Sequence, residues 1–369
     1  MLADTPEQLG SVLAALDDVA ASGDRDLIAI GFITYEAGVW LEGSTTLFRN
    51  PEGTPLAAFG VYRMRDGARR APAPQDERFT FDEEATAQLS LSPVEWARGV
   101  EKIRSGIARG DVYQVNLTRR LRLRARVDPF TVARALFREN PVPYALTLAG
   151  DGWAVVSNSP ELFLDADFAE GRASSSPIKG TIARGETPSR DDAAASRLLA
   201  SAKDAAEHVM IVDLIRNDLG RVAMPGGISV PSFREVKTFR HLHHLESTVA
   251  ARLAAGVCPS DLLCATLPGG SITGAPKRAA LRFIREIEPC PRGAYTGAAG
   301  FIRGDGRAVF NVAIRTAILH GGFVDYHAGG GIVWDSDPAG EWTEAETKSR
   351  EFQAVLASRR PGSGGESGR

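Results

Sequence analysis

Cysteine is scarce. The 369-residue chain holds three, Cys258, Cys264 and Cys290, with no CxxC pair among them. So low and odd a count excludes the disulfide framework of a small secreted protein, and no Cys/His spacing suits a structural zinc. HExxH and GxSxG are also missing, which removes zinc-peptidase and α/β-hydrolase chemistry. No segment approaches 18 consecutive apolar residues, so no membrane-spanning helix is expected. Net charge is almost nil, −3, with acidic and basic residues interspersed. Bulk electrostatics therefore favour neither nucleic acid nor a membrane as partner, and any anion site must be local. Met1–Glu7 carries no basic segment leading into an apolar one, so a cytoplasmic protein without a signal peptide is expected.

What is present suits a large core: 43% of residues are apolar and 24% charged, and the length suggests about two domains. A short N-terminal part (1–80) shows strand-like runs at Leu27–Tyr35, Thr46–Phe48 and Ala57–Tyr62. Met64–Phe79, rich in Arg, Ala, Pro and Asp, reads as a flexible connection to a main body over 90–358. There, Ser92-Pro93-Val94-Glu95 is a capping box opening a helix that ends near Gly110. Val112–Leu123, Tyr144–Ala149 and Trp153–Val156 read as strands, and Asp191–Leu219 as one long helix. Phe301–Ile302, Val309–Leu319 and Phe323–His327 read as strands joined by glycine turns, and Trp342–Ser358 as a last helix. The glycine-rich tail 361–369 is expected to be disordered. Strands and helices do not alternate strictly, which favours an α+β fold.

Four groupings could carry chemistry. In Pro177-Ile178-Lys179-Gly180-Thr181 one lysine stands between two conformationally special residues. It is either a surface lysine in a turn or, if buried, an amine of lowered pKa able to act as a nucleophile. Asp204 and Glu207, and again Glu341 and Glu344, are acidic pairs three apart on predicted helices. They are either solvated faces or, taken together, oxygen ligands for a hard dication such as Mg²⁺. Gly329-Gly330-Gly331 after a strand reads as an anion-binding nest or a plain turn. Pro268–Lys277 is glycine-rich but lacks the Lys-Ser/Thr of a P-loop. His208, His241, His243 and His244 form no convincing metal set.

Several ordered motifs together resemble the chorismate-utilising enzymes, a family that includes anthranilate, aminodeoxychorismate, isochorismate and salicylate synthases. They are Asp111–Leu117, Ser159–Phe163, Ile211–Arg221, His244–Thr248, Gly274–Lys277, Ile314–Thr316 and Ala328–Val333, within a similarity running from about residue 92 to 357. The resemblance implies packed β-sheets with helices outside and a central Mg²⁺ site. It further implies Glu207 and Glu344 as metal ligands with Asp204 and Glu341 close behind, and Gly180, Thr181 and Lys348 near the ring carboxylate of chorismate. Tyr295, Arg315 and Gly329–Gly331 would receive the enolpyruvyl carboxylate, with His244 lining the site. Lys179 and Pro268–Lys277 resemble the aminodeoxychorismate synthase branch, and Gln114, expected among the substrate-binding residues, stands where water-adding relatives place a lysine, which argues against water addition. On that reading Lys179 would attack ring C2 and Glu161 would protonate the departing C4 hydroxyl. Ammonia would come from solution or from a glutamine amidotransferase subunit (component II). Anthranilate synthase component I and a non-catalytic chorismate-binding subunit are the alternatives. Because the similarity to the N-terminal part starts late, near Gly31, no complete tryptophan-binding regulatory site is expected.

Overall fold

The computed structural model describes residues 1–64, 80–81, 87–239 and 242–357. The expected connection after Met64, His241 and the tail 361–369 lie outside the described residues. The N-terminal third runs β1 (Leu2–Ala3), α1 (Pro6–Ala21), β2 (Leu27–Ile33), α2 (Tyr35–Leu41), β3 (Ala57–Arg63), β4 (Thr80–Phe81), β5 (Gln88–Leu89), α3 (Pro93–Ala108), β6 (Gln114–Arg126) and α4 (Pro129–Glu139). The middle holds β7 (Tyr144–Gly150), β8 (Trp153–Ser159), β9 (Leu162–Asp167), β10 (Arg172–Ser176), β11 (Ile178–Ala183), α5 (Pro188–Ala200), α6 (Ala202–Gly220), β12 (Ala223–Thr238) and β13 (Leu242–Leu253). The remainder is α7 (Pro259–Thr266), β14 (Gly274–Ala275), α8 (Lys277–Ile287), β15 (Ala298–Arg303), β16 (Arg307–Val312), β17 (Thr316–His320), β18 (Phe323–Ile332) and α9 (Pro338–Ala357).

Two antiparallel sheets organise these elements, and the α+β expectation holds. One runs β1-β3-β2-β15-β16-β9-β10-β13-β11, with β12 also on β13; the other runs β14-β6-β18-β17-β8-β7, with β4 and β5 on β6. The N-terminal part joins the first sheet directly, because β2 pairs with β15 through Ile33↔Ala298 to Ile28↔Arg303. The largest apolar cluster draws Leu9 and Leu16 from α1, Trp96 and Ile103 from α3, Ile211 from α6 and Leu281 from α8 against strand residues such as Phe310.

Local chemistry explains where elements start and stop. The predicted capping box forms: Ser92 N donates to Glu95 Oε2 at 2.8 Å and Glu95 N to Ser92 Oγ at 3.3 Å. The long helix expected over Asp191–Leu219 is two helices. Ser201 takes an extended backbone and its Oγ accepts Asp204 N at 3.2 Å, capping α6 as α5 ends. Thr46–Phe48, expected as a strand, lies at a 3₁₀ turn, Thr45–Leu47. Val309–Leu319 divides into β16 and β17 around Arg315, which sits at φ 50°.

Candidate active site

The lysine run is a bulged strand and not a turn. In β11, Lys179 pairs with Leu245 and Thr181 with His244 of β13, and the register shifts between them at Gly180. Gly180 sits at φ 78°, a region that disfavours side chains. The bulge lets Ile178, Lys179, Gly180 and Thr181 all border one cavity of about 570 Å³. The same cavity is bordered by α6, β18 and α9, so it lies where both sheets meet two helices.

Glu161, in the link between β8 and β9, is 5% exposed and borders this cavity. Ser271 Oγ donates to its Oε1 at 3.1 Å. Burial pushes the carboxyl up to about 7, against the opposing pull of the Lys179 charge. A carboxylic acid so tuned can give a proton near neutrality. His244 lies beside it in the cavity wall, its Nδ1 2.7 Å from Thr181 Oγ1. Burial, helped by the Arg315 guanidinium, holds His244 down to about 4, so the ring is neutral at pH 7.

Both acidic pairs face the cavity: Asp204 and Glu207 from α6, Glu341 and Glu344 from α9. Two glycines keep the space before them open. A Cβ on Gly180 would lie 3.2 Å from Asp204 Cγ, and one on Gly330 would lie 3.3 Å from Glu341 Oε2 and 3.5 Å from Glu344 Oε1. Ser336 Oγ donates to Glu341 Oε1 at 2.7 Å, and Lys348 Nζ bridges Glu344 Oε1 at 2.7 Å and Gly329 O at 2.8 Å. An all-oxygen set of this kind fits a hard dication that keeps waters. Among the described residues no three acidic, His or Cys groups gather closely enough to hold an ion by themselves.

The glycine run is not a turn, and all three glycines border the cavity. It lies inside β18, paired as Gly329↔Thr118, Gly330↔Leu117 and Gly331↔Asn116 of β6. Gln114, expected among the substrate-binding residues, does not border the cavity but lies fully buried behind β18, filling the slot that Gly331 leaves, where a Cβ would strike its amide. Tyr295 and Arg315 do border the cavity. The Tyr295 ring stacks on His327 at 5.1 Å with an interplanar angle of 16°, and burial raises its hydroxyl pKa. Arg315 holds its left-handed backbone between β16 and β17, a conformation that persists where surroundings impose it.

Sequence reasoning missed Ser271, Asn116, His327 and Thr347, which complete the wall. Ser271 lay within a segment already singled out for its glycines and Asn116 within the Asp111–Leu117 motif; His327 and Thr347 carried no local signal. That segment's Lys277 proves structural. Its Nζ donates to both Asp218 oxygens at 3.0 Å in a buried pair.

Comparison with known proteins agrees with this geometry. Residues 3–354 match the model of the chorismate binding enzyme family. An anthranilate synthase component 1 from Haloarcula marismortui is 40% identical over 296 residues, 79% of this chain and 60% of its own length. An aminodeoxychorismate synthase from Streptomyces pristinaespiralis is 44% identical over 257 residues, 70% of this chain and 36% of its own. The chain thus spans less than two thirds of the length of these relatives. The crystal structure of anthranilate synthase component I from Streptococcus pneumoniae superposes with a TM-score of 0.79 at 29% identity, covering 92% of this chain and 85% of the other. With residues 3–354 matched, this chain belongs to the chorismate binding enzyme family.

Proposed function

We propose that the chain is an aminodeoxychorismate synthase component I, converting chorismate and ammonia to 4-amino-4-deoxychorismate for p-aminobenzoate and folate synthesis. The observation that carries this reading is the pairing of Lys179 with Glu161. A primary amine and a carboxyl raised to about 7 border one cavity, which four further carboxylates and an arginine also line.

The chemistry follows from those groups. Neutral Lys179 attacks ring C2; the two ring double bonds shift, and the C4–O bond breaks. Glu161 gives its proton to that oxygen, so water departs, and then takes the extra proton from the alkylated lysine nitrogen. Ammonia next bonds to C4, the double bonds shift back and the C2–N bond breaks. Glu161 returns a proton to Lys179 and accepts one from the new ammonium group. Two steps replace one difficult displacement. Glu207 and Glu344, with Asp204 and Glu341 beside them, would hold Mg²⁺, which when bound supplies charge neutralisation for the ring carboxylate. Arg315 and Tyr295 orient the enolpyruvyl carboxylate, the guanidinium through its fork. Neutral His244 lines the cavity without adding a positive charge to it.

Mass analysis of the product from chorismate, Mg²⁺ and ammonium tests this. The expected product keeps the enolpyruvyl group and gains nitrogen at C4. Anthranilate with released pyruvate would replace the reading by the second one, which the 40% identical anthranilate synthase supports. Unchanged chorismate would leave a binding subunit.

A further inference from the structure

A buried imidazole outside the cavity ties together the two elements that carry its charged groups. His208 follows Glu207 on α6 and is 0% exposed. Its Nε2 lies 2.6 Å from Ser247 Oγ of β13, and the same Oγ accepts the Arg234 main-chain N–H at 2.8 Å. A hydroxyl has one proton to give. Among the described residues Ser247 Oγ has only these two partners, so its proton is directed at Nε2. Nε2 therefore accepts that proton, and the ring's own proton sits on Nδ1.

That Nδ1 has no closed hydrogen bond, yet the ring abuts the main chain of Lys179. Phe233 meets the ring edge-on at 5.9 Å and sets its plane. Arg234, which supplies the amide, is itself held at φ 56°, while its Nη2 donates to Leu199 O at 2.6 Å. A non-glycine residue keeps such a backbone only where its surroundings impose it. So a strained residue, a hydroxyl and an imidazole are aligned to present one N–H toward the peptide of Lys179.

We infer that His208 is a positioning residue for Lys179: its Nδ1–H closes on the Lys179 carbonyl when substrate engages the amine, fixing the bulge at Gly180 relative to α6. Resting-state hydrogen bonds of this kind are commonly long and tighten in the loaded enzyme. The bulge makes such a tether useful, since the register shift at Gly180 interrupts the β11–β13 ladder beside the lysine. The inference rests on Lys179 as nucleophile.

Two variants of the full chain, His208→Phe and His208→Asn, test it, alongside long-range ¹H–¹⁵N correlation of the imidazoles in the resting protein. The expected tautomer is Nδ1–H. His208→Phe should lower kcat about 10- to 100-fold, the cost of misplacing a reacting group by about 1 Å, with KM little changed. His208→Asn, whose Nδ2–H stands where Nδ1–H stood, should recover most of that loss. An Nε2–H tautomer, or equal impairment by Asn and Phe, overturns the inference. Should Phe fail to fold, the Asn variant and the tautomer still decide. A fully active Lys179→Ala protein would instead sink the nucleophile reading, and the tautomer separates the two because it is read without turnover.

Discussion

Replacing Lys179 by alanine removes an amine while leaving in place the groups that grip both carboxylates of the proposed substrate. Amination should fall to background, and chorismate affinity, followed by calorimetry, should hold within a few-fold. Undiminished aminodeoxychorismate formation would end the covalent scheme. Glu161 makes a second, pH-dependent statement. Its carboxyl titrates near 7, so the proton it must donate is present below that pH and lost above it. With free ammonia kept saturating at every pH, kcat should fall as pH rises through about 7. Glu161→Gln should flatten that limb and cost about 100-fold or more. A wild-type rate that does not fall above pH 7 would show that the acid lies elsewhere. Lys179 was legible in the sequence because Pro177 and Gly180 flank it in a short pattern, whereas Glu161 was reached only through the family resemblance. Gln114 was misread for the converse reason. A strand residue's side depends on pairing, and the pairing partner that gives Gln114 its slot, Gly331, lies far away in the chain.

The acidic pairs share one cavity because α6 and α9 each present one face to it. Spacing of three predicted the shared face within each helix; that the two helices meet across one cavity is a tertiary fact no spacing contains. Where a single helix was expected, Ser201 restarts it, and the new N-terminus sets the phase that turns Asp204 and Glu207 inward. The amphipathic α1 was equally readable, with Leu9, Val12, Leu13, Leu16 and Val19 at helical spacing and Thr5 N donating to Gln8 Oε1 at 3.3 Å, and was overlooked. The hairpin of β12 and β13 was harder to see, since prolines and register shifts interrupt its alternation. If the faces do hold Mg²⁺, Glu344→Gln should raise the Mg²⁺ needed for half-maximal turnover by about tenfold or more, equivalent to ~1.4 kcal/mol. Gly330→Ala should move it in the same direction, because a methyl group would press on Glu341 and Glu344. An unchanged Mg²⁺ titration in both would place the metal elsewhere.

Behind the cavity one arginine fastens the N-terminal part to the rest. Arg292, 1% exposed, pairs with Glu288 Oε1 at 2.7 Å, donates to Ile272 O at 2.8 Å and Asn116 O at 2.7 Å, and lies 4.4 Å over the Tyr35 ring. Its main-chain N–H donates to Glu36 at 2.7 Å. Composition gave no hint of this residue, since a buried ion pair is a property of the packed whole. Arg292→Met should lower unfolding free energy by about 3–5 kcal/mol, because it strands Glu288 as a buried charge; a denaturation midpoint equal to that of the parent chain would contradict this. The same view of the whole molecule bears on where nitrogen comes from. A glutaminase needs an activated cysteine, yet burial pushes the thiols of Cys258, Cys264 and Cys290 above their ordinary value. The isolated chain should therefore turn over with ammonium salts and not with glutamine. Free ammonia is the reacting species, so at fixed total ammonium the rate should climb with pH from the acid side until loss of the Glu161 proton overtakes it. Adding a glutamine amidotransferase subunit should confer glutamine dependence by releasing ammonia beside the cavity. Glutamine-driven turnover by the pure chain, abolished in a variant lacking all three cysteines, would show that one of these thiols is reactive after all and that the chain makes its own ammonia.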